Sequence, residues 1–555
     1  MISESSLIET LPGPRRWHTA RRYLVRMLAI AALSQLPHAA CRAESYGDAA
    51  MRDECVELQR RNLQVISAEL KMGQGTGVTC VVHGRIISTP SSTIHFRVDL
   101  PQRSLWNSKL LTIGGGGFDG FIPTEPAAPE AEIMVWLTNL LGHDAAQMQS
   151  FVRVSSDSGH QGHSADPEMD FSSWTPADNP SAVKNHAYAA NHTVLWNAVD
   201  LATQYYGKPP KWRFMAGLSN GGRSSLAAVE RYPSDYNGVL ALEPAITQEA
   251  VAAAVGPNLF QWTFSSPDHW LNAAQTALYE KGELQACDGL DGLTDGILSD
   301  PVPCHYDGRN LLCPQGSSPG DSCLTAGQLE TIRRIHAFKD LPAKLADDWT
   351  GYPGYGLGGE SSDWEVTVFG TSFAARDSGM FVITDEIAKG LTGDPSASVM
   401  TLDPTKYLAQ YRALADEIDS TDPDLAKFYR QGGKLIVWQG VSDAAVSYKQ
   451  TARYIDSVEK RLGKQVTKKF LRFYVSPAMG HYLGGAGAST QPLLSALETW
   501  VEKGRTPGVL ISTLSKDSAA PGSSRPLCEY PMYPRYRGKG DTTQALSFVC
   551  AQPEP

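Results

Sequence analysis

The sequence has no surplus of positive charge. It contains 49 Lys and Arg against 59 Asp and Glu, a formal net charge of −10 over 555 residues. Proteins that hold nucleic acid neutralise its phosphates with basic side chains, so nucleic acid is not an expected partner. The chain also lacks a long apolar run that would span a bilayer, internal repeats and a collagen-like glycine period. Neither a stable membrane anchor nor a fibre is therefore expected.

The first 43 residues have the order of an export signal. Several arginines between Arg15 and Arg26 precede the apolar run 27–33, and small residues continue to Ala43. Positive charge, apolar core and small-residue cleavage site in this order predict removal of residues 1–43 and a secreted or periplasmic protein. The Sec and Tat routes both stay open. An uncleaved anchor is the alternative, although the run is too short to cross a bilayer.

Cysteine is sparse, and its placement fits an oxidising compartment. Of nine cysteines, Cys41 lies inside the predicted signal, so eight remain in the exported chain. An even number in an exported protein favours disulfides over the alternative of reduced, buried thiols. Closeness in sequence suggests four local pairs: Cys55 with Cys80, Cys287 with Cys304, Cys313 with Cys323, and Cys528 with Cys550.

Strand-like and helix-like segments alternate in an otherwise globular composition, with 42% hydrophobic and 19% charged residues. Helical periodicity over 192–205 lies among β-rich runs at 93–100, 109–113, 151–155 and 212–216. Such alternation predicts an α/β fold, with a mostly parallel sheet covered on both faces.

An insertion interrupts this alternation. From about residue 247 the pattern changes to apolar helices and turn clusters, and strand-like runs return only at 434–439 and 470–475. The predicted organisation is an export signal at 1–43, a first core part at 44–246, an inserted lid domain at 247–430 and a second core part at 431–555.

A nucleophile elbow is predicted between the strand at 212–216 and the helix that follows. The sequence there is Gly217-Leu-Ser-Asn-Gly221, and Pro233 stops the helix. In α/β-hydrolases such a turn holds the serine on strained backbone, and small neighbours leave room for it. The context predicts Ser219 as a nucleophile rather than a residue of an ordinary glycine turn.

A serine hydroxyl needs an imidazole to take its proton and a carboxylate to orient that imidazole. In α/β-hydrolases the chain order is serine, acid, histidine. Asp443 follows the predicted strand that ends near 439, and His481 follows the one that ends near 475. Both would lie at the carboxyl edge of the sheet, where such folds place their sites.

Rival residues exist for both roles. His160 and His163 are candidate bases, but they precede the serine and so break the usual order. Glu243, after the strand that follows the serine helix, is a candidate acid. The prediction is His481 as base and Asp443 as acid.

A glycine run at 114–117 follows the strand at 109–113. The corresponding loop of α/β-hydrolases donates one hydrogen bond to the oxyanion, and the backbone N–H of Asn220 would donate the other. A plain glycine-rich turn is the alternative. No phosphate-binding lysine signature accompanies the run, so it does not indicate nucleotide binding.

An aspartate-rich loop follows Cys287. Asp288, Asp291 and Asp295 are separated by glycines, and together with backbone carbonyls they would surround one hard cation, as Ca²⁺ prefers. The spacing is not that of an EF-hand. A run of Asp-Gly turns that solvates the loop is the alternative.

These motifs together resemble the tannase and feruloyl esterase family of α/β-hydrolases, which also contains the enzyme that hydrolyses mono(2-hydroxyethyl) terephthalate. The resemblance runs through nearly the whole mature chain, at Cys55, Cys80, 114–120, 213–245, the aspartate-rich loop, 440–446, 480–485, 525–531 and Cys550. It implies a triad of Ser219, Asp443 and His481 and an oxyanion glycine at Gly117. It also implies structural Ca²⁺ within the lid, held by Asp288, Asp291, Asp295 and the carbonyls of Leu293 and Ile297.

Three features depart from the family pattern or align poorly with it. Family members carry cysteines directly before the nucleophile and directly after the histidine, which form a disulfide, whereas this chain has Leu218 and Tyr482. We hypothesise that these two side chains pack together instead. Glu243 stands where small residues are usual, and a pocket-facing glutamate would repel carboxylate substrates. Arg376 lies near an arginine that binds aromatic carboxylates in some members, with a solvated surface arginine as the alternative.

The sequence therefore predicts a secreted serine esterase whose partner is a small-molecule ester, most naturally of a feruloyl-like or galloyl-like aromatic acid. This preference rests on the family analogy. Cleavage of aliphatic hydroxyacid oligomers is a second hypothesis, and a non-catalytic binding protein on the same fold is a third. The sequence carries no signal for the oligomeric state.

Overall fold

The computed structural model describes residues 46–72, 77–124, 141–161, 169–173, 175, 179–315, 320–481 and 484–554. The predicted export signal, His163 and Tyr482 lie outside the described residues. Residues 52–555 form one compact unit. Of the remaining residues, 1–51, only those at the start of the first helix are described.

A nine-stranded sheet forms the centre of this unit, in the order β1-β2-β3-β5-β4-β6-β7-β10-β11. Its strands are β1 Val65–Met72, β2 Val78–Thr89, β3 Ser92–Pro101, β4 Lys109–Ile113, β5 Val152–Ser156, β6 Trp212–Leu218, β7 Gly238–Leu242, β10 Lys434–Gly440 and β11 Leu471–Ser476. The six strands β5, β4, β6, β7, β10 and β11 are parallel to one another. The strands β1, β2 and β3 form an antiparallel extension, in which β3 pairs with β5. The predicted α/β architecture with a mostly parallel sheet is confirmed.

The parallel strands are apolar because both faces of the sheet are covered. Successive side chains of a strand point to opposite faces. Met215 of β6 and Val239 of β7 therefore belong to one core, while Phe214 and Leu240 belong to the core on the other face.

Helices cover the sheet and fill the insertion, and several end at a left-handed glycine such as Gly207 or Gly504, which carries no Cβ penalty there. The α-helices are α1 Tyr46–Arg61, α2 Ala145–Gln149, α3 Pro180–Lys184, α4 Ala190–Tyr206, α5 Asn220–Arg231, α6 Gln248–Ala250, α7 Gln261–Thr263, α8 Ala273–Cys287, α9 Ala326–His336, α10 Glu360–Trp364, α11 Gly379–Thr392, α12 Leu408–Ile418, α13 Ala426–Arg430, α14 Tyr448–Leu462, α15 Lys464–Thr467 and α16 Leu493–Lys503. Three π-helical segments adjoin them at Asn185–Ala189, Val251–Phe260 and Glu365–Phe369. No helix among the described residues is both long and apolar enough to cross a membrane.

The insertion separates two strands that are neighbours in the sheet. Helices α6 to α13 and the short antiparallel pair β8 Lys339–Asp340 and β9 Gly351–Tyr352 lie between β7 and β10 in the chain. Nevertheless, β7 and β10 pair directly, with Leu242 opposite Trp438. The insertion therefore leaves the sheet unbroken and begins at its carboxyl edge.

The C-terminal region adds two small antiparallel sheets. They consist of β12 Ala488–Thr490, β13 Leu510–Leu514 and β14 Ser524–Leu527, and of β15 Tyr533–Tyr536 and β16 Phe548–Ala551. The sequence analysis did not predict these strands. All four predicted disulfides are present: Cys55–Cys80, Cys287–Cys304, Cys313–Cys323 and Cys528–Cys550.

The burial of β7 predicts a large effect of truncation there. Leu240 is fully buried, so Leu240→Ala is expected to lower the free energy of unfolding by about 2–5 kcal/mol, because it leaves a cavity in a close-packed core. Ile511 on β13 is 53% exposed, and Ile511→Ala is the matched control, with an expected loss below about 1 kcal/mol. Urea unfolding measures both, and equal losses would contradict the assigned strand faces.

Candidate active site

Ser219 occupies a strained turn between β6 and α5. Its backbone has φ 60° and ψ −119°, a left-handed conformation that a non-glycine residue rarely adopts. The turn is fixed on both sides, because Ser219 N–H donates to Leu242 O at 2.9 Å and Arg223 N–H donates to Ser219 O at 3.0 Å. This is the geometry of a nucleophile elbow.

The glycines around Ser219 are required by close backbone contacts. A Cβ at position 217 would lie 2.3 Å from the carbonyl oxygen of Gly221, and a Cβ at position 221 would lie 2.3 Å from that of Gly115. Neither space can be enlarged cheaply, because the obstacle is backbone. The same contacts bring the glycine loop after β4 against the start of α5.

The structure brings the three predicted side chains together. His481 Nε2 lies 2.9 Å from Ser219 Oγ, across 262 residues of sequence, and His481 Nδ1 lies 2.9 Å from Asp443 Oδ2. Asp443 is fully buried and His481 is 5% exposed. Each of the three follows a parallel strand, β6, β10 or β11, at the same edge of the sheet.

Asp443 is held by hydrogen bonds other than that of the imidazole. Its Oδ1 accepts from the backbone N–H groups of Ala445 at 2.9 Å and Val446 at 2.7 Å, and its Oδ2 accepts from Gln439 Nε2 at 2.9 Å. Several donors stabilise the ionised form of a buried carboxyl. Asp443 is therefore built as a buried carboxylate that faces Nδ1.

Glu243 is not among the described residues that line the cavity beside Ser219. Its side chain is fully buried, Oε1 accepts from Gly440 N–H at 3.2 Å, and Oε2 lies 3.4 Å from His481 Nδ1. Burial, reinforced by the charges of Asp443 and Asp363, holds the pKa of Glu243 well above its ordinary range. The residue considered as a rival acid is thus beside the imidazole, and a contact between Glu243 and substrate stays a prediction.

The glycine loop after β4 forms one wall beside Ser219. Gly116 and Gly117 line the same cavity as Ser219, Asn220 and His481, and Gly117 has a left-handed φ of 49°. Asn220 is the first residue of α5, so its backbone N–H has no partner within the helix. Both predicted oxyanion positions therefore border the nucleophile.

A buried polar network fixes the side chain of Asn220. Its Nδ2 donates to Asp119 Oδ1, and its Oδ1 accepts from Arg223 Nε at 2.7 Å. Arg223 is fully buried and also donates to backbone carbonyls, among them Ile418 O at 2.9 Å. Burial raises the pKa of Asp119 to about 7. The start of α5 is therefore held by the side chains of Asp119 and Arg223, each of which is hydrogen-bonded to Asn220.

The cavity beside Ser219 is apolar. Uncharged side chains make up most of its wall, including Phe118, Leu218, Val251, Met380, Ile383 and Val446. No Lys, Arg, Asp or Glu is among the described residues that line it. Such a surface suits an uncharged, apolar part of a ligand.

Two glutamines interrupt this apolar wall. Gln248 and Gln450 line the cavity and are 7% and 0% exposed, and the Oε1 of each has no hydrogen-bond partner within the described residues. The Nε2 of Gln450 donates to Thr247 Oγ1, which leaves its Oε1 as an acceptor. The sequence analysis missed both residues, because no motif marks them.

Two other candidates lie elsewhere. The guanidinium of Arg376 lies 5.7 Å from the ring centroid of Phe264, and Arg376 does not line the cavity. His160 is buried, and burial lowers its pKa to about 3. His481, rather than His160, is the histidine in contact with Ser219.

The inserted segment is bonded to the acid loop. Asp363 is buried, and its burial raises its pKa to about 7. The bonds are Ser442 Oγ to Gly358 O at 2.6 Å, Ala444 N–H to Asp363 Oδ2 at 2.8 Å, and Ser447 Oγ to Gly354 O at 2.8 Å. Residues 354–363 thus support the loop that carries Asp443. The position of Asp363 gave no signal in the sequence.

Buried acid groups line the aspartate-rich loop. Asp288 Oδ1 and Asp295 Oδ1 have no hydrogen-bond partner within the described residues, and burial raises the pKa of Asp291 to about 7. Arg525 neutralises part of this charge through Asp295 Oδ2 at 2.7 Å. Orphaned carboxylate oxygens suit a hard cation. The carboxylate oxygens of the three aspartates do not all lie within 4.8 Å of one another. One ligand atom from each of Glu243, Asp443 and His481, in contrast, lies within that distance of the other two.

The predicted contact between Leu218 and Tyr482 stays a prediction. Leu218 lines the cavity and is 7% exposed, whereas Tyr482 lies outside the described residues. The four disulfides of the described residues do not involve either position.

Comparison with known proteins agrees with this geometry. The family model described as tannase and feruloyl esterase matches residues 79–551. An uncharacterized esterase of Agrobacterium fabrum is 32% identical over 496 residues, which cover 86% of each chain. The mono(2-hydroxyethyl) terephthalate hydrolase of Piscinibacter sakaiensis is 28% identical over 533 residues, covering 83% of this chain and 82% of that one.

A solved structure of feruloyl esterase B from Aspergillus oryzae superimposes with a TM-score of 0.76 at 22% identity, covering 90% of this chain and 100% of that chain. This likeness confirms the predicted α/β-hydrolase fold. The match of the family model over most of the length is independent of that superposition. The chain therefore belongs to the tannase and feruloyl esterase family and is a carboxylic ester hydrolase.

Proposed function

We propose that the protein is an exported serine esterase that works through an acyl-enzyme, with Ser219 as nucleophile, His481 as base and Asp443 as orienting acid. The observation that carries the proposal is the pair of 2.9 Å contacts that join Ser219 Oγ, the imidazole and Asp443 Oδ2. These contacts lie at the wall of an apolar cavity, where a substrate carbonyl has access to the hydroxyl.

In the first half of the reaction, Ser219 Oγ attacks the ester carbonyl carbon while His481 Nε2 takes the hydroxyl proton. Asp443 stabilises the imidazolium that forms. The oxygen of the tetrahedral intermediate becomes negative and accepts hydrogen bonds from backbone N–H groups at Asn220 and Gly117. The intermediate collapses, the alcohol leaves with the proton from Nε2, and the acyl group remains on Oγ.

In the second half, water replaces the alcohol. His481 Nε2 takes a proton from this water as its oxygen attacks the acyl carbon, and the same N–H groups hold the second oxyanion. The acid leaves when Nε2 returns the proton to Ser219 Oγ. Every proton passes through one nitrogen, so the hydrogen bond on Nδ1 sets the working tautomer throughout.

The cavity supports an aromatic, uncharged acyl group. Its apolar wall suits a ring, and we propose Gln248 and Gln450, whose buried Oε1 atoms have no partner within the described residues, as acceptors for a phenolic hydroxyl. Leaving such an acceptor unpaired in a buried site is costly, so a hydroxyl-bearing substrate is favoured over one without it. Aliphatic hydroxyacid oligomers end in a carboxylate, for which the described wall offers no cationic partner.

We infer further that residues 1–43 are an export signal, that 44–246 and 431–555 form the catalytic core and that 247–430 form the lid. The end of β7 at Leu242 and the start of β10 at Lys434 support these boundaries. We also propose that the chain is a family variant with no disulfide between the nucleophile and histidine loops. Leu218 and Tyr482 at the two positions support this.

We propose structural Ca²⁺ at the aspartate-rich loop, held by Asp288, Asp291, Asp295 and the carbonyls of Leu293 and Ile297. The orphaned oxygens of Asp288 and Asp295 support the site. A bound cation would offset the cost of keeping these carboxylates buried and charged.

The nucleophile is tested with a fluorophosphonate probe, which reacts with an activated serine. The wild type is expected to be labelled and Ser219→Ala is not, with a loss of kcat of about 10⁴-fold or more for the variant. The exposed Ser361→Ala is the matched control and keeps its labelling. An unlabelled wild type, or a labelled Ser219→Ala, would overturn the proposed nucleophile.

The substrate class is tested with methyl ferulate, methyl cinnamate, p-nitrophenyl butyrate and a hydroxybutyrate dimer. We expect methyl ferulate to have the highest kcat/KM. Gln248→Met is expected to lower the ratio of kcat/KM for ferulate over cinnamate by about 5-fold to 10-fold, since it removes one hydrogen-bond acceptor. The exposed Gln431→Met is the control. A preference for the dimer would favour the aliphatic reaction instead.

The cation is tested by thermal melting with and without EGTA. Chelation is expected to lower the melting temperature, because a ligand at 100 times its Kd contributes about 2.7 kcal/mol to the folded state. Asp291→Asn is expected to melt at the same temperature in both conditions. Identical wild-type curves with and without EGTA would show that no calcium contributes to stability.

A further inference from the structure

Two strands of the sheet deliver a carboxyl group to the same nitrogen of His481. Glu243 directly follows β7, and Asp443 follows β10, which pairs with β7 in parallel. One carboxyl oxygen of each residue and one imidazole nitrogen all lie within 4.8 Å of one another. Nδ1 thus faces Asp443 Oδ2 at 2.9 Å and Glu243 Oε2 at 3.4 Å.

The two carboxyl groups accept different numbers of hydrogen bonds from the protein. Asp443 accepts three protein hydrogen bonds besides that of the imidazole. Within the described residues, Glu243 accepts one, from Gly440 N–H to Oε1, and its Oε2 accepts none. In a buried site, the better hydrogen-bonded carboxyl keeps the negative charge. Asp443 is therefore the ionised member of the pair, and Glu243 carries the proton.

The backbone of Glu243 has an unusual conformation that is fixed by β10. Its φ of 42° lies in the left-handed region, which a non-glycine residue rarely adopts. Its N–H donates to Trp438 O at 2.8 Å, so the residue is pinned to β10. A surface glutamate could relax out of this conformation, whereas this one is held with its carboxyl against the imidazole.

We propose that Glu243 is a second positioning carboxyl for His481, which accepts the hydrogen bond of Nδ1–H when Asp443 carries no charge. The inference rests on the proposed function, since it takes His481 as the base. The ionisable groups that face Glu243 are Asp443, Asp363 and His481. Neutralising Asp443 removes a repelling charge, Glu243 then releases its proton to solvent, and Oε2 accepts from Nδ1–H without a change of tautomer.

The test is a double-mutant cycle on kcat/KM with Asp443→Asn, Glu243→Gln and the double variant. With a single acid, the Asp→Asn change costs a triad about 10⁴-fold. We expect Asp443→Asn alone to lose only about 10²-fold, and addition of Glu243→Gln to remove about another 10²-fold. In the wild-type background, Glu243→Gln is expected to cost less than about 10-fold, so the two effects are not additive.

The pH profile gives a second readout that a structural role would not move. Deprotonation of His481 raises kcat/KM with pH in every variant. In Asp443→Asn, a second rise is expected as Glu243 ionises, and this second rise is absent from the double variant. Glu249 is also fully buried, with both carboxyl oxygens unpartnered within the described residues. Asp443→Asn/Glu249→Gln is therefore the matched control, and it is expected to keep the activity and pH profile of Asp443→Asn.

Two results would overturn the inference. If Glu243→Gln lowers kcat/KM by the same factor in both backgrounds, its role is only structural. If Asp443→Asn already loses about 10⁴-fold, Glu243 does not replace the acid. Melting curves identify any variant that fails to fold. If the double variant does not fold, the pH profiles of the single variants are compared instead. Wild-type labelling by the fluorophosphonate probe tests the proposed function separately, so the two failures are distinguishable.

Discussion

One imidazole, held between a hydroxyl and a buried carboxylate, is the interaction on which the site depends. His481 lies 2.9 Å from both Ser219 Oγ and Asp443 Oδ2. Such distances require that the loops carrying these three residues are rigid. The parallel pairing of β6, β7, β10 and β11 supplies this rigidity, because the carboxyl ends of these strands share one edge. The glycines around Ser219 then bring the oxyanion loop into backbone contact with the start of α5.

The same edge concentrates acid groups in a dry environment. Asp443, Glu243 and Asp363 surround one imidazole, and burial raises the pKa of the latter two carboxyls. Three close carboxylates would repel one another strongly, so the site keeps charge where backbone N–H groups supply hydrogen bonds. The apolar cavity on the other side of His481 adds no charged side chain among its described residues. Besides Ser219, Asn220 and His481, the polar side chains among the described lining residues are the uncharged Gln248, Thr367 and Gln450.

Local constraints made part of this predictable from sequence. The elbow could be predicted because its glycines lie next to the serine in the sequence, and the contact of Gly217 with Gly221 is itself local. The strand runs and the four cysteine pairs are likewise local features. The position of Glu243 beside His481 could not be predicted, because it depends on the pairing of β7 with β10 across the insertion. Asp363, Gln248 and Gln450 were not predicted, because they lie in helices α10, α6 and α14, where no local motif marks a residue that reaches the site. The C-terminal strands are short and follow no repeat.

The bonds between residues 354–363 and the acid loop limit how this enzyme can be recombined with its relatives. Ala444 and Ser442 depend on acceptors supplied by the insertion, so the insertion is not a detachable module that merely shapes specificity. A chimera that exchanges the whole insertion for a foreign one would leave those donors unsatisfied and loosen the carboxylate beside the imidazole. Grafts that retain 354–363 and replace only the cavity-facing helices would alter selectivity while preserving turnover.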